Sequence, residues 1–431
     1  MRLASFSVQN YRAFADPTVL ELRPLTLLFG YNSAGKSALL RWLPIVAAST
    51  EPDATTALAL DSEAARGATF DELLSRYTAD PKLSLGLCWR DPATAKELRV
   101  DWRLLWEDRR KQQIVERFRA SSATASSQHT VEAIWSLDEE TPIDRRRYAV
   151  GTEVSSTEIE LAFDGLLPHQ GAFDGPTHAL IGELTDRMRG LRRNLHWLTA
   201  LRATPRRSKV LGAPPRRMGS DGALAGDFLA HDRLDDGQLL ATVSRWFEEA
   251  TGHGLGTRID SVGGSDRFSV TLSPSGRRDP VHLPLPDTGE GMAQVLPVIV
   301  LGALARQGRL GDAPILLIEH PELHLHPKVH ADLAGFFCDL AREAKNTTTV
   351  IETHSENLLL RVQLAIARGE LDPGDVIVHW VRGLPEGPAV VDSVTFDPLA
   401  RPIGDWPPGV FSSDIKQARE LVALRRTKGA S

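Results

Sequence analysis

The chain has 431 residues, of which 42% are hydrophobic and 25% charged, an ordinary globular balance that excludes a long disordered span. A formal net charge of -6 excludes a global basic field for nucleic acid, and only two cysteines, Cys88 and Cys338, exclude a disulfide framework. No run approaches the roughly 18 apolar residues of a membrane span, and "MRLASFSVQNYRAF" does not read as a signal peptide, so no membrane contact and a cytoplasmic location are expected.

In chain order, "LASFSVQNYRAF" and "TVLELRPLTLLFG" predict two or three strands, and "KSALLRWLPIVAA" has helical apolar spacing. Short alternating pieces between about 82 and 165 predict strands, with the polar "RASSATASSQHT" (119–130) read as a mobile loop. Residues 175 to 250 read as mainly helical, interrupted by "RATPRRSKVLGAPPRRMGSDG". Then come a strand at "RFSVTLS", a helix from "MAQVLPVIVLGALARQ", the apolar strand "APILLIE", and an alternation of helix, strand and helix through "ENLLLRVQLAIARG". That alternation implies a parallel sheet.

"GYNSAGKS" has the spacing G-x-x-x-x-G-K-S between a predicted strand and a predicted helix. Glycines let such a loop turn its N–H groups onto phosphate oxygens, and the helix N-terminus adds its positive dipole end. Gly30, Asn32, Ser33, Ala34, Gly35, Lys36 and Ser37 form the predicted cradle, Lys36 facing the β- and γ-phosphates of ATP and Ser37 ligating Mg²⁺. "ILLIEHPELHLHP" supplies the second part, a buried strand ending in Glu319, the candidate magnesium carboxylate. His320, His324, His326 and His330 cluster there, but Pro321 and Pro327 break any continuous helix, so an H-E-x-x-H zinc site is not available.

"YNSAGKS", "LLIEHPELHLHP" and "IETHSENLLLR", in this order, resemble the ABC-type AAA ATPases related to the SMC, RecF and OLD proteins. The resemblance implies an α/β fold: an ABC-type P-loop head with a β-rich N-terminal lobe and a parallel sheet flanked by helices, carrying a large α+β insertion between Walker A and Walker B. The expected divisions are 1–80 for the first ATPase lobe, 81–280 for the insertion, 281–400 for the second lobe and 401–431 for a short tail module. It further implies that His354 is the switch histidine sensing the γ-phosphate. "LPDTGEGMAQVLPVIVLGAL" falls where the family carries its signature segment, which implies that Gly289, Gly291 and Gln294 cap ATP on an opposite subunit, in a homodimer or higher oligomer with composite sites.

The chain departs from the family at two positions. Glu319 stands where aspartate is usual, and His320 where the catalytic glutamate usually follows. Two residues therefore compete to position the attacking water, His320 and Glu322, with Glu322 preferred because a carboxylate needs no unusual protonation state near neutral pH. Slow hydrolysis is expected. The 283 residues from Lys36 to Glu319 carry no sustained heptads, which disfavours an SMC-type arm. Only 77 residues follow His354, without a metal-binding D-x-D, which disfavours an attached nuclease. Three functions stay open: an ATP-driven switch for a separate effector, plausible in anti-phage defence; a RecF-like repair ATPase touching DNA through Arg109-Arg110-Lys111, Arg145-Arg146-Arg147, Arg206-Arg207, Arg216-Arg217 or Arg277-Arg278; and an ATP-stabilised scaffold.

Overall fold

The computed structural model describes residues 1–51, 54–136, 146–152, 156–276, 281–384 and 386–406. The tail sequence beyond 406, Arg145 and the Arg277-Arg278 pair lie outside the described residues.

A seven-stranded sheet forms the centre, in the order Leu195–Leu198, Ile315–Glu319, Thr348–Thr353, Leu25–Gly30, Val376–Leu384, Gly387–Phe396 and Pro402–Ile403. The first five run parallel and the last two close the edge antiparallel. Strands buried on both faces read as continuous apolar runs, and here "LTLLFG" and "ILLIE" are buried at every position. Along Leu25–Gly30 the pleat sends Leu25, Leu27 and Phe29 into one core and Leu28 into the other.

On one face, helix Lys36–Ala48 joins an eight-stranded sheet in a common core. That sheet runs Thr18–Glu21, Arg2–Gln9, then the meander from Lys82–Arg90 to Ser156–Glu160. The first two strands of the chain are thus continuous with the segment expected as an insertion, which also contributes Leu195–Leu198 to the central sheet. Helix Gly175–Asn194 covers the meander with Leu180, Ile181, Leu184, Met188 and Leu191, a single amphipathic stripe. On the other face, Glu290–Arg306 is buried on all sides, Pro327–Glu343 packs beside it, and Glu356–Ala367 packs beside Pro327–Glu343. Such a helix needs no polar face, which explains the apolar run from Val295 to Ala305.

The loop expected at 119–130 is a hairpin instead. Gln112–Ala123 and Gln128–Trp135 are strands with Ser121 opposite Thr130 and Ser122 opposite His129. Only 124–127 turn. Ala120 and Val131 hold the register from the buried face; Ser121 and Thr130 lie on the opposite face, and Ser122 and His129 lie on the Ala120 face nearer the turn.

Candidate nucleotide site

The loop after Leu25–Gly30 is held open by backbone that only small residues tolerate. Gly30 has φ 146°, and a Cβ there would lie 2.2 Å from the Val381 carbonyl oxygen. Gly35 has φ 105° and packs against the Phe14 ring, where a Cβ would sit 2.9 Å away. Gly30→Ala is therefore expected to lower stability by roughly 2–5 kcal/mol, visible as an earlier urea midpoint; an unchanged midpoint would contradict the close approach to Val381. Asn32 and Ser33 are exposed at the loop tip and Ala34 is buried.

Lys36 opens the helix and is 3% exposed. Its Nζ donates to the carbonyls of Gly30 (2.9 Å) and Tyr31 (2.7 Å), a cation folded back over its own loop. Burial lowers its pKa, against the opposing pull of Glu352 and Glu322. Two carboxylates thus face the loop from the neighbouring strand end and turn.

The ends of three parallel strands converge here. Glu319 and Glu352 stand in register on adjacent strands, and Glu352 in turn stands beside Leu28 of the P-loop strand. Ser37 Oγ donates to Glu352 Oε1 at 2.6 Å. Glu319 is gripped by Arg41, whose Nε and Nη2 donate to its two oxygens at 2.7 and 2.6 Å. Glu322 Oε1 accepts from Thr353 Oγ1 (2.8 Å) and the His354 N–H (3.0 Å). The Oε2 atoms of Glu322 and Glu352 are buried with no hydrogen-bond partner among the described residues.

His320 adopts φ 41° and lies between two acids, Nε2 3.4 Å from Glu352 and Nδ1 3.8 Å from Glu322. Burial alone would favour the neutral ring, but the two carboxylates outweigh it and push its pKa up to about 9. The same contacts hold Glu322 and Glu352 below the usual carboxylate range despite their burial. His354 stacks on His320 with ring centroids 5.0 Å apart, and burial, Lys36 and His320 depress its pKa. His320 is therefore a cation at neutral pH and His354 a neutral ring. The other histidines disperse: His326 caps the next helix, His330 bonds Ser355 and the Leu325 carbonyl, and His324 lies 3.8 Å from Glu290.

The residues fit a nucleotide with its magnesium ion. Two half-satisfied buried carboxylates and a hydroxyl adjoin a phosphate-type loop, and an orphaned buried anion is costly unless a cation completes it. Among the described residues no three His, Cys, Asp or Glu side chains form a metal cage by themselves.

The segment before the Glu319 strand divides. Gly289 is exposed, has open space around its Cβ position, and caps a helix that no side chain caps. Gly291 is buried against the His324 carbonyl, 2.4 Å from a would-be Cβ. Gln294 is turned inward: its Oε1 accepts from the Arg202 N–H (3.1 Å) and its Nε2 donates to the Arg202 carbonyl (3.2 Å). Arg202 also donates to the Glu319 carbonyl at 2.6 Å, tying this helix to the strand end. Sequence reasoning did not single out Arg41, Arg202 or Glu352, although "IETHS" placed an acid two residues before the candidate switch histidine.

A G-x-x-x-x-G-K-S loop between strand and helix, faced by acid-ended parallel strands, has the form of an ABC-type P-loop ATPase head. The chain belongs to the family described as "AAA domain, putative AbiEii toxin, Type IV TA system", whose profile matches residues 139–361. No curated protein matches it. Among solved structures it is similar to an SMC head bound to the C-winged helix domain of ScpA, with 11% identity, 92% of this chain and 98% of that one covered, and TM-score 0.48. It is also similar to the SMC head domain from Thermotoga maritima, with 10% identity, 91% and 98% covered, and TM-score 0.41. A third is an Smc head with an extended coiled coil bound to the C-terminal domain of ScpA, derived from Pyrococcus furiosus, with 9% identity, 99% of both chains covered, and TM-score 0.46. Family membership rests on the profile match. Among the described residues no helix is long and apolar enough to cross a membrane.

Proposed function

We propose that the protein is an ATP-binding, slowly hydrolysing switch that dimerises around ATP and regulates or recruits a separate effector. The observation that carries this is the convergence of Lys36, Ser37, Glu352, Glu322 and His354 at one loop, with His320 as a fixed cation beside them. Slow turnover is expected because His320 stands where the family's catalytic glutamate usually follows; it is held between Glu352 and Glu322, which leaves Glu322 as the group that orients water. Bound ATP is then long-lived, and a long-lived bound state suits signalling to a partner. The family's description, with its AbiEii toxin and Type IV TA system, supports an effector and a defence setting for this chain.

Dimerisation is supported by Gly289, an exposed residue at the uncapped start of a long buried helix, where free N–H groups suit a phosphate from a second subunit. Gly289→Arg is expected to abolish ATP-dependent association in light scattering while nucleotide binding persists, because its side chain points into open space. Gly291 is a poorer probe, since any side chain there strikes His324. An unchanged dimer fraction in Gly289→Arg would count against the composite site.

The DNA-repair reading has less support. Arg207 is paired with Asp287 at the surface, and Arg217 donates to the carbonyls of Arg192 and Leu195, so one member of each of two arginine doublets already has a protein partner. Mass measurement of the full chain with and without ATP, with co-expressed neighbouring proteins, tests the switch reading: an ATP-dependent complex is expected, and a monomer indifferent to ATP would overturn it.

A further inference from the structure

We propose that the protein carboxylate of the magnesium site is Glu352, and that Glu319, which ends the Walker B strand, serves instead as the buried partner of Arg41. This rests on the ATP-binding reading above and reassigns one residue within it.

The bonding capacity of the two acids decides between them. A carboxylate offers about four acceptor positions. On Glu319, Oε1 accepts from Arg41 Nε (2.7 Å) and Trp197 Nε1 (3.1 Å), while Oε2 accepts from Arg41 Nη2 (2.6 Å) and the Ala200 N–H (3.4 Å). Both oxygens are engaged, and the residue is 1% exposed. Turning Glu319 towards a metal would strand Arg41, whose side chain is only 14% exposed, without its counter-charge. Glu352 is less fully engaged. Its Oε1 takes the Ser37 hydroxyl and lies 3.4 Å from His320 Nε2, while Oε2 is buried and has no hydrogen-bond partner among the described residues.

Position agrees with bonding. Glu319 and Glu352 share a register and so a face, but the Glu352 strand lies directly beside the P-loop strand and the Glu319 strand one place further out. Neighbouring strands are about 4.8 Å apart, and that step separates the acid that meets Ser37 from the acid that meets Arg41. The two acids divide the work: Glu319 at the strand end reaches Arg41, one helical turn beyond Ser37, and Glu352 on the adjacent strand supplies the charge beside the loop hydroxyl. Lys36 feels Glu352 and Glu322 as its neighbouring anions, consistent with this placement.

The test uses the full chain and a non-hydrolysable ATP analogue, with affinity measured by calorimetry in excess Mg²⁺ and in EDTA. Wild type is expected to bind more tightly with Mg²⁺. Glu352→Gln keeps an acceptor for Ser37 and should bind equally in the two conditions. Glu319→Gln should retain the tightening by Mg²⁺ at a lower melting temperature; should it fail to fold, the charge-balanced double variant Arg41→Gln/Glu319→Gln replaces it. Retained tightening in Glu352→Gln, or its loss in the Glu319 variants, overturns the assignment while leaving the nucleotide reading intact. A wild type that binds the analogue in neither condition overturns both.

Discussion

Lys36→Ala is expected to weaken ATP binding by roughly a hundredfold while the fold persists. In the free protein the ammonium is spent on two loop carbonyls, Gly30 and Tyr31, which an incoming phosphate would replace with a stronger, charge-assisted partner. Losing one charged contact of this kind costs about 3 kcal/mol, or roughly a hundredfold in affinity. The fold should tolerate the change because burial already lowers the lysine's pKa, so its removal relieves a desolvated charge. The two carbonyls lose a donor but adjoin exposed loop residues that water reaches. Calorimetry paired with a thermal melt measures both effects. Undiminished affinity in a folded variant would remove the nucleotide reading altogether.

Glu322→Gln should lower ATP turnover by roughly 10²–10⁴, the range for removing a group that positions and deprotonates water. ATP affinity should change little. Glu322 is held by Thr353 and the His354 N–H through one oxygen, leaving the other free to orient a nucleophile. His320, at the position after Glu319, is already protonated at neutral pH and is expected to hold its two acids rather than accept a proton. His320→Ala should therefore reduce turnover less than Glu322→Gln. Full activity in Glu322→Gln combined with loss in His320→Ala would reverse the roles. Tight binding with no turnover in the wild type would favour the scaffold.

The parts of this site that were legible in the sequence are those fixed by local geometry. "GYNSAGKS" specifies its own turn, and the apolar runs ending at Glu319 and Thr353 announce strands buried on both faces. Residues delivered by pairing between distant segments were not legible. Arg41 looks like any helix cation until the Glu319 strand is set across from it, and the value of Glu352 depends on which strand lies next to the P-loop, an order that composition does not encode. Gln294 illustrates a different blind spot. In a helix apolar on every side a lone amide has no outward face, so its partners come from backbone, here that of Arg202. The strand His253–Val262 was hidden by low propensity at Gly254 and Gly256, although the Gly263-Gly264 pair marks its hairpin turn.

The central sheet also sets a schedule for biosynthesis. The P-loop strand has no neighbours of its own age: both of its edges wait for strands that begin at Thr348 and Val376. At a translation rate of about 5–20 residues per second, that wait is roughly 20 to 70 seconds. Throughout it, the most apolar N-terminal strand has two unpaired edges, a standing invitation to pair with another chain. The antiparallel sheet is completed by residue 160, well before the parallel one can begin to close. The nascent chain should therefore emerge as a folded β lobe trailing an incomplete head, and its nucleotide cradle takes shape only when the last parallel strand leaves the ribosome.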